Sequence, residues 1–202
     1  MSWTEVVAFV TGAICVVLTV RRNVWNFPIG IANNAVFIVL FVGSGLYADA
    51  ALQVVYVGLA VAGWGGWLTG RRLEGDVVVR RAGPRLVAGA VFAVALMTGA
   101  LAWLLAAQTD SVVPFWDALT TALSLVAQYL LNKRYLENWL LWITADVLYI
   151  GLYAFKGLWL TTALYVLFLA LCVVGIRSWR RSMTASAVLT ASQRPFAEGL
   201  PA

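Results

Sequence analysis

Apolar residues gather in seven stretches along the chain, at roughly 3–20, 26–43, 47–68, 86–107, 113–131, 138–155 and 158–178. Each is close to the ~20 residues that a helix needs to cross a bilayer. Short polar clusters separate them. The pattern predicts an all-α integral membrane protein with seven transmembrane helices. Charge supports the count. With the loops numbered alternately, Arg21, Arg22, Arg71, Arg72, Arg80, Arg81, Arg85, Lys133, Arg134, Arg177, Arg180, Arg181 and Arg194 fall on one side, and only Lys156 on the other. A miscounted helix would scramble that separation. The excess of Lys and Arg in cytoplasmic loops then predicts an outside N-terminus and a cytoplasmic C-terminus in a multi-pass protein of the cell inner (plasma) membrane.

Composition sharpens this picture. The chain is 62% hydrophobic and 11% charged, with mean hydropathy +0.87, whereas soluble domains carry about 25% charged residues. Its net charge of +5 is accounted for by loop charges that set topology, so the expected partner is the lipid bilayer and not nucleic acid. Met1–Glu5 lack the basic region of a secretory leader, and none is expected. Cys15 and Cys172 both sit in apolar spans and read as small buried hydrophobes. There is no His, which removes the commonest metal ligand. No metal or cofactor is expected.

The chain repeats itself at an offset of 112 residues, Arg21-Arg22 matching Lys133-Arg134. In the same register Asn26 matches Asn138, Phe27 matches Trp139, and Gly45-Leu46-Tyr47 matches Gly157-Leu158-Trp159. Leu52, Gly63 and Trp67 match Leu164, Gly175 and Trp179. The unit is three helices, and the odd fourth helix makes the two copies parallel: a 3+1+3 plan. The expected units are a first repeat over 1–69, a linker and connecting helix over 70–112, a second repeat over 113–181, and a disordered cytoplasmic tail over 182–202. Thr69–Pro84 reads as a solvated linker, and Gly58, Ala62 and Gly66 as a close helix-packing stripe.

Polar side chains in a bilayer are costly and face a cavity or a helix partner. Helical spacing sorts them into four stripes: Asn26, Gly30, Asn33 or Asn34, and Phe37; Asp49, Gln53, Tyr56, Gly63 and Trp67; Thr121, Ser124, Gln128 and Asn132; and Asn138, Trp142, Asp146, Tyr149 and Tyr153. Single Ser and Thr residues are expected to bond between helices. Gln53, Gln128, Asn138 and Asp146 read as ligand-site residues, because amide, aromatic and acid recur on one face. Asp49, Asp117 and Glu137 stand at helix starts and read as caps or dipole partners. No span has Lys or Arg in its interior, so a phosphorylated substrate would be poorly received. There is no nucleotide-binding P-loop, and no nucleophile–base pair that would make the protein an enzyme. The site chemistry suits a neutral or mildly cationic molecule with hydroxyls, an amide and a flat ring.

Trp25-Asn26-Phe27-Pro28-Ile29-Gly30, Gly45-Leu46-Tyr47-Ala48-Asp49, Leu52-Gln53-Val54-Val55-Tyr56 and Gly63-Trp64 resemble the first half of PnuC-type vitamin transporters. Gln128, Asn132-Lys133-Arg134, Glu137-Asn138-Trp139, Trp142, Asp146 and Lys156-Gly157-Leu158 resemble the signature region of the second half. The resemblance covers about residues 20–180. It implies a 3+1+3 bundle similar in plan to the sugar-transporting SWEET proteins. It further implies facilitated diffusion of nicotinamide riboside into the cell, with trapping by cytoplasmic phosphorylation. The alternative is a related facilitator of riboflavin, thiamine or a nucleoside. By resemblance, Gln53, Tyr56, Gln128, Asn132, Asn138, Trp139, Trp142, Asp146 and Tyr149 bind substrate, with Asn33 and Asn34 beside them. A homo-oligomer is compatible with the sequence.

Overall fold

The structure is a computed structural model that describes residues 3–43, 47–108, 113–155, 157 and 159–197. Lys156, the lone basic residue of its side, lies outside them. Seven helices follow in order: α1 Trp3–Val20, α2 Asn26–Gly43, α3 Tyr47–Glu74, α4 Pro84–Gln108, α5 Pro114–Asn132, α6 Asn138–Phe155 and α7 Trp159–Ala197. Among the described residues, five helical segments are long and apolar enough to cross a membrane: Asn26–Gly43, Ala50–Leu73, Pro84–Gln108, Asn138–Phe155 and Thr161–Ala185. Helix α5 is less apolar because it carries Asp117, Thr120, Thr121, Ser124, Gln128 and Asn132. Large apolar side chains coat the exterior, among them Val39, Phe92 and Trp103, as lipid rather than water requires.

The helices close into a ring. α1 packs on α2, α2 on α3, α3 on α5, α5 on α6, α6 on α7, and α7 back on α1; α4 packs only on α5. Shifting every partner of the first repeat by one repeat unit turns the α3–α5 interface into the α7–α1 interface. The fold is therefore two parallel three-helix repeats, with α4 as an outside connector whose only buried residue is Thr98.

The repeat holds down to single hydrogen bonds. Trp67 Nε1 donates to the Leu131 carbonyl at 3.2 Å, and Trp179 Nε1 to the Thr19 carbonyl at 3.1 Å. Each indole thus ties the third helix of one repeat to the first helix of the other. Both rings are fully buried. Phe27 meets Trp67 edge-on at 5.1 Å, and Trp139 meets Trp179 edge-on at 5.4 Å. The glycines match as well. A Cβ on Gly63 would collide with Phe27 and Asn132, and one on Gly175 with Trp139 at 2.5 Å. The rings lie flush on their helices only because both positions lack a side chain.

The corners repeat too. After α5 the chain turns through Arg134 at φ 64°, and after α1 through Arg22 at φ 55°. The Tyr135 and Asn23 amides reach back to the Leu130 and Leu18 carbonyls, and the Arg134 and Arg22 amides to Leu131 and Thr19. This is a left-handed C-terminal cap built on arginine instead of glycine, at a cost of about 1–2 kcal/mol. The side chains use the position: Arg22 pairs with Asp76 at 2.9 Å, and the Arg134 guanidinium fills the space left by Gly70.

Three expectations are corrected. The linker after α3 is not a solvated loop: Val77 and Val79 are buried in the main apolar cluster with Phe27, Trp67, Trp139 and Trp179. Gly75 at φ 77° ends α3, and the extended segment beyond it points alternate residues inward. The stripe Gly58, Ala62 and Gly66 is exposed, and the packing face is Ala60, Gly63, Trp67 and Gly70, because that face meets Phe27, Asn132 and Arg134. Of the stretch 182–202, expected as a disordered tail, residues 182–197 continue α7 to Ala197, their Ala, Met and Leu residues favouring helix, and residues 198–202 lie outside the described residues.

Candidate substrate site

A cavity of about 370 Å³ lies inside the ring of six helices. Every helix of both repeats lines it: α1 with Gly12, Cys15, Val16 and Thr19; α2 with Asn26, Phe27, Gly30, Asn33 and Asn34; α3 with Gln53, Tyr56 and Ala60. The second repeat adds Ser124, Gln128 and Leu131 from α5, Trp139, Trp142, Asp146 and Tyr149 from α6, and Tyr165, Phe168 and Cys172 from α7. Most of these are repeat partners, such as Gly30 with Trp142, Asn34 with Asp146 and Gln53 with Tyr165. The cavity therefore straddles the pseudo-twofold axis.

The resemblance-based site residues converge here with two exceptions. Gln53, Tyr56, Gln128, Trp139, Trp142, Asp146, Tyr149, Asn33 and Asn34 all line the cavity; Asn132 and Asn138 do not. Asn132 donates to the Leu59 carbonyl at 2.7 Å, crossing from α5 to α3, and accepts from Gln128 Nε2 at 3.1 Å. It thereby orients the Gln128 amide. Asn138 is wholly buried and donates to the Tyr135 carbonyl at 2.6 Å, as Asn26 does to Asn23 at 2.8 Å. Both asparagines fasten the corner before their helix.

The first-repeat side of the cavity is amide-rich, with Asn26, Asn33, Asn34 and Gln53. On the second-repeat side, Trp142 and Asp146 lie one helical turn apart on α6, and Tyr149 follows at the next turn. Tyr149 stacks on Tyr165 at 4.6 Å, Tyr153 stacks on both, and Phe168 meets Tyr165 edge-on. The repeat partners Phe37 and Phe41 stack at 5.6 Å, much as Tyr149 and Tyr153 do at 5.8 Å. The Cys172 thiol donates to Asp146 Oδ2 at 3.4 Å. Among the described residues no Lys or Arg lines the cavity, so no basic side chain there is placed to balance that carboxylate if it is charged.

Ser and Thr residues were expected to bond between helices. Several do: Ser178 donates from α7 to the Val20 carbonyl at 3.3 Å, Ser124 bonds to Tyr56 on α3, and Thr120 and Ser124 bond to Tyr149 on α6. Thr19, Thr120, Ser124 and Thr144 also return to carbonyls four residues back in their own helices, a local option always open to a hydroxyl. Glu137 was expected as a cap; its carboxylate accepts from the Ala82 amide in the linker at 2.8 Å. Asp117 does lie in the first turn of α5, and the side chain of Asp49 lies outside the described residues. Sequence reasoning missed Gly12, Cys15 and Val16 on α1 and Tyr165, Phe168 and Cys172 on α7. The repeat carried the signal, since Tyr165, Phe168 and Cys172 stand at the places of Gln53, Tyr56 and Ala60.

The sequence family described as nicotinamide mononucleotide transporter matches residues 2–181. The chain belongs to that family. It is 27% identical to the nicotinamide riboside transporter PnuC of Escherichia coli K12, over 90% of this chain and 87% of that protein. It is 31% identical to the riboflavin/roseoflavin transporter RibM of Streptomyces davaonensis, over 99% and 92%. A crystal structure of the vitamin B3 transporter PnuC superposes with a TM-score of 0.72 at 27% identity, covering 91% of this chain and 83% of that one. The family is thus one of membrane transporters, in agreement with the helical bundle and the resemblance seen in the sequence.

Proposed function

We propose that the protein carries nicotinamide riboside across the inner membrane by facilitated diffusion, and that it is not an enzyme. The observation that carries this reading is the cavity's combination of a buried carboxylate, Asp146, with Trp142, Tyr149 and several amides, and no basic side chain. A pyridinium ring supplies the missing positive charge and a face for stacking. Its carboxamide and ribose hydroxyls suit Asn33, Asn34, Gln53 and Gln128. Asn132 acts through Gln128. A phosphate dianion would enter a site with no cation to meet it, which favours the nucleoside over the nucleotide. Phosphorylation in the cytoplasm would then trap the substrate.

The repeats and the connecting helix are the working units: each repeat moves against the other around a site on their shared axis. The charge separation along the chain supports an outside N-terminus and a cytoplasmic C-terminus. Labelling of single cysteines placed at Ser2 and Ser192 in intact cells tests this; a C-terminal label acquired from outside would reverse it. A riboflavin facilitator is the second reading, favoured by the 31% identity to RibM.

Binding to the purified protein, followed by tryptophan fluorescence, separates the readings. Nicotinamide riboside should bind at least tenfold more tightly than its 5′-phosphate, about 1.4 kcal/mol, and more tightly than riboflavin or thiamine. Equal affinity for the phosphate would show that a corner arginine reaches the cavity. Tighter riboflavin binding would transfer the assignment to the second reading. In proteoliposomes with equal substrate on both sides, net accumulation driven by a proton or sodium gradient would rule out facilitated diffusion.

A further inference from the structure

The segment between α3 and α4 crosses the two repeats at their arginine-bearing end. On the first-repeat side, Arg22 Nη1 donates to Asp76 at 2.9 Å and to the Val77 carbonyl at 3.2 Å. On the second-repeat side, Arg80 forms an isolated parallel β-bridge with Tyr135. Its amide donates to the Arg134 carbonyl, and its carbonyl accepts from the Leu136 amide, both at 2.9 Å. Glu137 then takes the Ala82 amide at 2.8 Å. Between these anchors, Val77 and Val79 sit in the cluster that holds Phe27, Leu131 and Trp139, three residues that also floor the cavity. The segment therefore touches both left-handed corners, at Arg22 and at Arg134, and closes the aromatic floor from below.

We propose that residues 76–82 form a strap that locks the two repeats together at this end, and that it must undock for the cavity to open there. Motion of one repeat against the other separates the corner at Arg22 from the corner at Arg134. A segment bonded to both cannot stay bonded to both: Asp76 follows closely on α3 and moves with the first repeat, so the bridge to Tyr135 is the anchor that must release. The strap is suited to release. It is a short extended run with one β-bridge, and its outer groups, Asp76 and Arg80, are exposed, so water can replace their partners. Beyond its hydrogen bonds, release would draw Val77 and Val79 out of the apolar cluster, a smaller change than unpacking a helix. Among the described residues the second repeat has no counterpart, because α7 continues as a helix to Ala197 where α3 stops at Glu74. The exit is thus strapped by one element acting across the axis.

The test is the Arg80→Cys/Tyr135→Cys variant in proteoliposomes. Paired strands lie about 4.8 Å apart, within the Cα separation a disulfide spans. Oxidation should lower nicotinamide riboside uptake at least tenfold, reductant should restore it, and each single-cysteine variant should be insensitive. Equal uptake by the cross-linked and reduced protein would overturn the strap. So would failure of the pair to cross-link under oxidant, since the bridge sets the two residues opposite each other. If the pair prevents folding, Asp76→Ala/Glu137→Ala decides: uptake at least twofold above wild type sustains the proposal, and unchanged or slower uptake overturns it. The proposal rests on the transport reading, which uptake by the wild-type protein tests by itself.

Discussion

In the first repeat Gly30, Asn34 and Gln53 face the cavity; at the same places in the second stand Trp142, Asp146 and Tyr165. A few residues away the repeats are nearly interchangeable. Trp67 and Trp179 are both buried, both edge-packed, and both bonded to a carbonyl of the other repeat. The difference separates two demands on one fold. The frame is built from two matching halves, each joined to the other by the same kind of cross-repeat indole bond. The cavity needs unlike halves, because a molecule with a cationic ring at one end and hydroxyls at the other has no twofold axis.

The largest effects should come from the frame and be equal in its two halves. Trp67→Ala and Trp179→Ala each remove a fully buried ring and the hydrogen bond that crosses between repeats. Each should cost about 3–5 kcal/mol of stability, read as the loss of folded protein on heating in detergent. If one variant melts like wild type and the other collapses, the halves are not equivalent supports, and the comparison fails at its base.

How much of this could be read from the sequence follows the same division. The helices over 3–20, 26–43 and 138–155 are delimited as the apolar runs predict, because bilayer thickness and charge placement both act at the level of whole segments. The frame was partly legible: Trp67 and Trp179 are repeat partners in the sequence, but nothing there shows that their indoles bond across the repeats. The strap was not legible. Three valines between Asp76 and Arg80 are too few for a period-2 pattern to stand out, and the flanking arginines give the segment the look of a solvated loop. The roles of Asn132 and Asn138 were hidden for another reason. An asparagine that fastens a backbone corner and one that holds a ligand have the same spacing, and only the carbonyls of Leu59 and Tyr135 tell them apart.

The next effects belong to the cavity, and should be unequal between the halves. Trp142→Ala removes a candidate stacking face, with ~0.5–2 kcal/mol of cation–π attraction beyond its contact area. Gln128→Ala leaves a ligand hydroxyl or carboxamide unpaired, at about 1–3 kcal/mol. Both variants should fold and insert yet lose most nicotinamide riboside binding by tryptophan fluorescence. Retention of binding by both would remove the second repeat's claim to the ring.

A smaller change isolates charge from shape. Asp146→Asn keeps the size of the side chain and removes its charge. It should weaken nicotinamide riboside about tenfold, or ~1.4 kcal/mol, and leave uncharged riboflavin nearly unaffected. Returning the carboxylate at the repeat-equivalent place, in Asp146→Asn/Asn34→Asp, should not restore affinity, since the stacking rings Trp142 and Tyr149 stay with the second repeat. Recovery in the double variant would mean that the substrate binds in either orientation, and that the cavity is functionally twofold.

The smallest effect should come from the helix outside both repeats. Trp103 on α4 is 73% exposed on the outer surface, and α4 packs on α5 alone. In a bilayer that face meets lipid. Trp103→Ala exchanges one lipid contact for another and leaves every repeat-to-repeat bond in place, so stability and nicotinamide riboside affinity should both stay within measurement error of wild type. The variant is a large aromatic truncation, as Trp142→Ala is, and controls for the loss of indole itself. If it lowered binding as much as Trp142→Ala while the protein stayed folded, α4 would be part of the binding unit. The site would then no longer belong to the axis between the repeats, and the contrast between symmetric frame and asymmetric cavity would have to be redrawn around α5 and its outer neighbour.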